Sequence, residues 1–332
     1  MRVTIKDVSQ AAGVSVATVS NVLNSPDVVA PSTRDRVLAV VAELGYRPSR
    51  AAQALQQQRT YSIGYRMPSS TDEFALDVFL HRMAARAGDA GLDIVLFTPR
   101  TGQTEIEAYT EMIRRGAVDG FVLSGTEHGD ERVDYLLGLT VPFVTFGRTH
   151  VLDQHPWVDV DGERGVHDAV EHLIEVGHRD IALLAWPEGS LVGDERASGY
   201  AQAVAEAGLE PSPDLVVRTP NDVEEARRAT AELLDRPSPP TAIMAIQDLL
   251  ALGAMVAVRD AGLRVGHDIA IVGFDDIPRA SAADPPLSTV RQPMDAVGEI
   301  VIELLLERLD EQSTVRSELV SPELVVRASS TP

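Results

Sequence analysis

Cysteine is absent from the 332 residues, which excludes disulfides and thiolate metal or nucleophile chemistry. No apolar run approaches the roughly eighteen residues that a membrane-crossing helix needs. The opening Met1-Arg-Val-Thr-Ile-Lys-Asp7 mixes charge with apolar groups and lacks the apolar centre of a secretion signal, so a soluble cytoplasmic protein is expected. A Gly-x-Ser-x-Gly elbow, a P-loop and a Gly-x-Gly-x-x-Gly turn are also missing. The eight histidines show no His-x-x-x-His or carboxylate spacing of a metal site. His178, in a Gly-His-Arg turn before a strand-like run, reads as a turn histidine satisfied by backbone rather than as a catalytic base. Nothing here points to an enzyme, and neither a cofactor nor a metal is expected.

Positive charge is scarce as well: 29 basic against 50 acidic side chains give −21. The shortage is uneven. Residues 1–60 hold seven basic and four acidic groups, +3 net, which leaves −24 on the rest. A basic head on an acidic body can still meet phosphate locally, because salt screens the body beyond roughly 8 Å. With 44% apolar residues the chain can build one small domain and a two-lobed core.

Three regimes follow one another. Residues 3–45 have helical periodicity without a strand-like run. Residues 46–60 are polar and alanine-rich, with Gln56–Gln58 the sole low-complexity patch and no internal repeat anywhere. From Tyr61 on, strand-like runs (62–66, 93–97, 120–123, 143–146, 181–185, 242–245, 269–273) alternate with amphipathic stretches (76–90, 105–115, 165–176, 193–207, 223–234, 249–261). That alternation predicts parallel sheets covered by helices, and about 270 residues suit two doubly wound lobes better than one sheet.

In the head, Thr4 is placed to cap a helix to about Ala11, with Asp7 three residues on. Gly13 permits a left-handed turn. Ser15 then caps a second helix, Val16–Asn24, and a third is expected over about Ser32–Leu44. Ile5, Val8, Ala12, Val14, Val19, Val22 and Leu23 form the inward set, closed by Val37, Val40, Val41 and Leu44. The spacing matches a helix-turn-helix. Ser15, Val16, Ala17, Thr18, Ser20 and Asn21 then face outward: hydroxyls for phosphate, Asn21 for adenine, Val16 and Ala17 for thymine methyls. Spacing alone leaves open a three-helix interaction module without nucleic acid.

Residues 4–24 (Thr-Ile-Lys-Asp-Val-Ser-Gln-Ala-Ala-Gly-Val-Ser-Val-Ala-Thr-Val-Ser-Asn-Val-Leu-Asn) resemble the head of the lac-repressor (LacI/GalR) family. So does the continuation Val29-Ala-Pro-Ser-Thr-Arg-Asp-Arg-Val37 and Leu44-Gly-Tyr-Arg-Pro48. The resemblance implies operator contacts from Thr4, Ser15, Val16, Ala17, Thr18, Ser20, Asn21, Asn24, Thr33, Arg34, Tyr46 and Arg50. It makes Val16, Ala17 and Asn21 the base readers. Ala30 stands where the family often has Ser, so one phosphate contact is expected to be missing. The resemblance also implies that 47–59 is a hinge helix ordered on DNA, with Leu55 wedged into the minor groove, most cheaply at a central CpG. Ser49 and Gln53 depart from the usual Asn and Arg.

Ligands of open α/β sheets bind beyond the carboxyl ends of the strands. The polar and aromatic residues there are Ser69, Asp72 and Phe74; Arg148; Trp186 with Arg196 beyond; Gln247 and Asp248; Asp275 and Asp276. Carboxylates, an amide, arginines and aromatic faces suit a polyhydroxylated ligand. Family-like landmarks continue through this region: Val158-Asp-Val-Asp-Gly-Glu-Arg-Gly165, His172–Leu184, Arg196-Ala-Ser-Gly-Tyr200, Asp248–Gly253, Val272–Ile277 and Pro286–Gln292. The resemblance implies that Arg196 and Asp275 hold the effector and that Gln247 replaces a usual Asn; Phe74, Arg148, Asp161, Trp186 and Asp248 are expected to complete the effector site. It also implies a periplasmic-binding-protein-like core crossed three times by the chain. The lobes are expected at 60–160 with 292–318 and at 161–291 with 319–332, after a head at 1–46.

A palindromic operator calls for a two-fold dimer. The final strand-like stretch 323–327 leaves no heptad-bearing helix, so a dimer rather than a tetramer is expected. The function these features imply is a transcriptional repressor released by a small-molecule inducer, a sugar or oligosaccharide. The alternative is a regulator whose ligand strengthens DNA binding. A solute-binding protein or sugar enzyme fits neither the head nor the missing signal.

Overall fold

The computed structural model describes residues 3–46, 59–68, 74–209, 212–310 and 315–331. It divides into two units, Met1–Tyr61 and Ser62–Pro332. The hinge residues expected at 47–58, with Arg50 and Leu55, lie outside the described residues, as do Ser69 and Asp72.

The first unit is three helices: α1 (Ile5–Ala12), α2 (Val16–Asn24) and α3 (Pro31–Leu44). The amide and hydroxyl of Thr4 both donate to Asp7 Oδ2 at 2.8 Å, which fixes the start of α1. Gly13 ends it at φ +65°, a left-handed conformation open to glycine. The Ser15 hydroxyl accepts the Thr18 amide at 3.0 Å and caps α2. α3 begins one residue earlier than the sequence reading, because Pro31 takes the first helical position, where no amide is needed. Val8, Ala12, Val19, Val22 and Val37 are buried together, and Ile5, Val14, Leu23, Val40, Val41 and Leu44 pack against them. Lys6, the one lysine in the chain, is exposed on α1.

The second unit opens with β1 (Ser62–Arg66), α4 (Phe74–Asp89), β2 (Asp93–Phe97), α5 (Glu105–Arg114), β3 (Gly120–Leu123), α6 (Glu131–Gly138), β4 (Phe143–Phe146) and β5 (Trp157–Val160). It continues through α7 (Gly162–Glu175), β6 (Ile181–Ala185), α8 (Leu191–Glu206), β7 (Val216–Arg218), α9 (Val223–Leu234), β8 (Ala242–Ala245), α10 (Asp248–Asp260), β9 (Ala270–Phe274), α11 (Pro278–Ala282) and β10 (Ser288–Arg291). The chain closes with α12 (Met294–Leu309), β11 (Glu318–Val320) and β12 (Glu323–Val325).

Two six-stranded sheets result, ordered β11-β5-β4-β3-β1-β2 and β12-β10-β9-β8-β6-β7. All pairings are parallel except β10 with β12. Helices on both faces explain why β6, β8 and β9 are buried at every position and read as unbroken apolar runs. α12 packs on α4 and on β3 to β5, which returns it to the first lobe. The chain thus crosses between lobes after β5, after β10 and after β11. The expected lobe boundary at 318 requires correction: β11 pairs with β5 through Val320, so the last crossing falls at 321–322. The residues after β12 are pinned rather than trailing. The Ser329 hydroxyl donates to the Ile271 carbonyl at 2.6 Å, and Ser330 bonds Ser288 at 2.7 Å. Among the described residues, no helix is long and apolar enough to cross a membrane.

Candidate functional site

Each unit carries one candidate surface. On the head, α2 exposes Val16, Ala17, Asn21 and Asn24, with Thr18 and Ser20 half-buried beside them. The hydroxyls of this set are already engaged locally: Ser15 with Thr18 at 2.9 Å, and Ser20 with the Asn24 amide at 3.3 Å. Asn21 makes no side-chain hydrogen bond among the described residues, so both its donor and its acceptor are available. Thr4 is exposed next to α1, while Thr33, Arg34 and Tyr46 are half-buried on and after α3. Arg34 lies 3.7 Å from Asp35.

In the second unit, a cleft of about 300 Å³ lies at the carboxyl ends of both sheets. The first lobe contributes Phe146 and Asp159 at its strand ends, together with Thr126 and Glu127 after β3. The second contributes Trp186 after β6, Gln247 after β8, Asp275 after β9 and Gln292 after β10. Arg196, on α8, spans the floor. Its guanidinium carbon stands 3.6 Å from the centre of the Phe274 ring and 5.9 Å from that of Trp186. Its Nη1 donates to the Ile246 carbonyl at 2.7 Å and reaches within 3.9 Å of Asp275 Oδ1. Gln292 donates to the same carboxylate oxygen at 2.6 Å. Burial acts against charge on both groups, lowering Arg196 and raising Asp275, while their mutual attraction opposes it. Asp275 holds φ +115°, a conformation costing about 1–3 kcal/mol in a non-glycine residue and found where a site is preorganised.

Among the described residues, three buried polar atoms lining this cleft lack a partner: Trp186 Nε1, Arg196 Nε and Gln247 Oε1. Two donors and one acceptor, each costing about 1–3 kcal/mol unless satisfied, converge on one place.

Of the effector residues expected from sequence, Trp186, Arg196, Gln247 and Asp275 line the cleft, and three others do not. Asp248 is fully buried behind Asp275, accepting the Thr289 hydroxyl at 2.6 Å and the Ile277 amide at 2.9 Å. A Cβ at Gly273 would come within 2.2 Å of its carboxylate, so only glycine fits that strand position. Asp161 caps α7 through the Arg164 amide at 3.0 Å. Arg148 is taken up by Asp159 at 2.9 Å on its own lobe and by Glu195 at 2.6 Å on the other. Phe74 opens α4, and its side chain lies outside the described residues. Asp276 pairs with Arg291 and Arg327 at 2.7 and 2.6 Å. His178 bonds the Thr241 hydroxyl at 3.0 Å, a side-chain partner rather than the backbone one expected. His167, Asp168 and Glu171 cluster on α7, the first two half-buried and the third exposed, and the His167 ring is held by Glu206 at 3.0 Å. Sequence reading missed Glu127, Asp159, Glu195 and Gln292. Gln292 was within reach of the strand-end rule, had 288–291 been read as a strand.

Residues 4–49 match the model of bacterial regulatory proteins of the lacI family, and 170–330 match the periplasmic binding protein-like domain. The chain is 35% identical to the HTH-type transcriptional regulator AglR of Rhizobium meliloti, over all of this chain and 95% of that one. Among solved structures, the lac repressor dimer bound to operator and the anti-inducer ONPF superposes with a TM-score of 0.82 at 30% identity, covering 100% of both chains. A complex of the transcriptional regulator CelR with cellobiose superposes with a TM-score of 0.75 at 33% identity, covering 99% of this chain and 100% of that one. With its helix-turn-helix head, its two-lobed parallel-sheet core and relatives of this identity along its whole length, the chain belongs to the LacI family of DNA-binding transcriptional regulators.

Proposed function

We propose that the protein is a cytoplasmic, dimeric repressor without enzymatic activity, released from a palindromic operator when a sugar enters the cleft. The carrying observation is the convergence of the unpartnered Trp186 Nε1, Arg196 Nε and Gln247 Oε1 around the Asp275 carboxylate. Ring hydroxyls supply the matching acceptors and donors, and the Trp186 and Phe146 faces suit the apolar side of a sugar ring. Cellobiose, with which CelR forms its solved complex, belongs to the same chemical class.

On the DNA side, Asn21 is the polar base reader, and Val16 and Ala17 select by shape and methyl contact. Ser15, Thr18, Ser20, Thr33, Arg34, Tyr46 and Arg50 serve phosphates, and Leu55 is the minor-groove wedge. Sugar binding releases DNA only if the sugar prefers the lobe arrangement that reads DNA poorly.

The test selects operators from random duplexes with the full chain, then titrates the best one with and without mono- and oligosaccharides. A saccharide that weakens operator binding supports the reading. One that strengthens it reverses the sign and makes the ligand a co-repressor. Arg196→Lys keeps the charge but loses the planar fork and Nε. It is expected to weaken saccharide affinity by about 10- to 100-fold while leaving sugar-free operator binding unchanged. Unaltered saccharide affinity would remove Arg196 from the site.

A further inference from the structure

We propose that a second cavity, wholly within the first lobe, extends the effector cleft and receives the next hydroxyl-rich unit of a chain-like ligand, so that the effector is an oligosaccharide rather than a single sugar ring. This rests on the saccharide reading of the cleft. The cavity measures about 430 Å³ and adjoins the cleft through Gly125 and Glu127, which line both. Its walls are the end of β1, the start of α5 and the β3–α6 loop with the first turn of α6.

The charges there specify a class of ligand. Arg66 and Arg132 face Glu105, Glu127, Asp130 and Glu131, a net −2. Both guanidiniums are matched already: Arg132 forks onto Asp130 at 2.9 and 2.5 Å, and Arg66 meets Glu105 at 2.6 Å. An anion therefore finds no spare positive charge. Glu127 and Glu131 are exposed and have no ion-pair partner among the described residues. Such carboxylates accept from vicinal hydroxyls. Among the described residues Ile106 is the one large apolar residue on the wall and no aromatic ring lines it, so the site grips the rim of a ring rather than its face.

An independent sign is where the unsatisfied atoms fall. Among the described residues five buried side-chain polar atoms lack a partner. Three line the cleft; a fourth, Arg66 Nε, is on a residue that lines this cavity, and the fifth, the Tyr109 hydroxyl, is on a residue that does not. Arg66 is on its wall; Tyr109 is buried with Arg132, Arg66, Glu105 and Asp130 as its charged neighbours.

Because every wall comes from one lobe, occupancy of this cavity does not distinguish one lobe arrangement from another. A ligand contact that is equal in both states raises affinity without shifting their balance. Longer saccharides then act at lower concentration but reach the same maximal effect on DNA.

The test titrates the full chain calorimetrically with gluco-, galacto-, manno- and xylo-oligosaccharides of one to four units, alongside Ile106→Trp, which fills the cavity, and Glu131→Gln, which removes an exposed carboxylate. In the best series, one added unit should raise affinity at least tenfold. Ile106→Trp should abolish that gain and Glu131→Gln reduce it, with the shorter ligand bound as before. The saturating effect on operator affinity should not change with chain length. Equal affinity at all lengths, or a gain that survives both variants, overturns the second subsite while leaving the saccharide reading standing. If no saccharide of any length binds, the saccharide reading falls and takes the subsite with it.

Discussion

Asp248 is a carboxyl group where charge is unwelcome. Burial and the neighbouring Asp275 push it up to about 8, against the Thr289 hydroxyl and the Ile277 amide that favour its ionised form. A carboxyl raised in the fold keeps a proton that the unfolded chain has lost, so between about pH 4 and 8 stability falls as pH rises. Asp248→Asn mimics the protonated form. Its thermal midpoint is expected to decline less than the wild type's between pH 5 and 8, ending a few °C above it at pH 8. Parallel melting curves for the two proteins would mean that Asp248 is not the group responsible. The strand-end rule placed Asp248 at the ligand because it fixes where a Cα lies, not where the side chain turns. Gln247 and Asp248 are adjacent, yet one lines the cleft and the other points back to β10. Glu127 and Glu195 escaped for a related reason. One is in a loop and the other on a helix, and only the closeness of two lobes gives them a place at the site.

At the scale of elements, the proposed reading of DNA belongs to α2. Asn21→Ala is expected to cost about 1–3 kcal/mol in operator affinity and to relax selectivity at one base position. Replacement of Val16 or Ala17 by larger residues should change which bases are preferred. If Asn21→Ala left both affinity and base preference intact, α2 would not be the reading helix. The head was legible almost to the residue because its boundaries are written in local chemistry: Thr4 with Asp7, Gly13 and Ser15 mark them. The core's short strands were not. β5, β7, β10 and β11 span three or four residues and include Asp159, Arg218, Thr289 and Glu318. Sheet neighbours, rather than their own sequence, make them strands. α12 also escaped, since it is apolar on most sides where it packs between α4 and the sheet, and it shows little amphipathic contrast.

For the whole molecule, two-fold operator reading implies a dimer, and sedimentation at micromolar concentration should show one; a stable tetramer would contradict it. Leu55→Ala should weaken operator binding strongly while leaving saccharide affinity unchanged, and an unaltered operator affinity would remove the wedge. The two-lobed plan was legible from the alternation of strands and helices. The last crossing was misplaced because three-residue β11 carries no signal of which sheet it joins. The distribution of amines has a practical consequence. With no cysteine anywhere and Lys6 the one lysine, exposed on α1, the acidic core is devoid of nucleophilic side chains for common conjugation reagents. An amine-directed dye therefore tags the DNA-reading unit without any engineered residue, and a single introduced cysteine gives a second, orthogonal address in the core. Loss of Lys6 labelling in the presence of operator duplex would footprint the head on DNA, one side chain reporting for the protein.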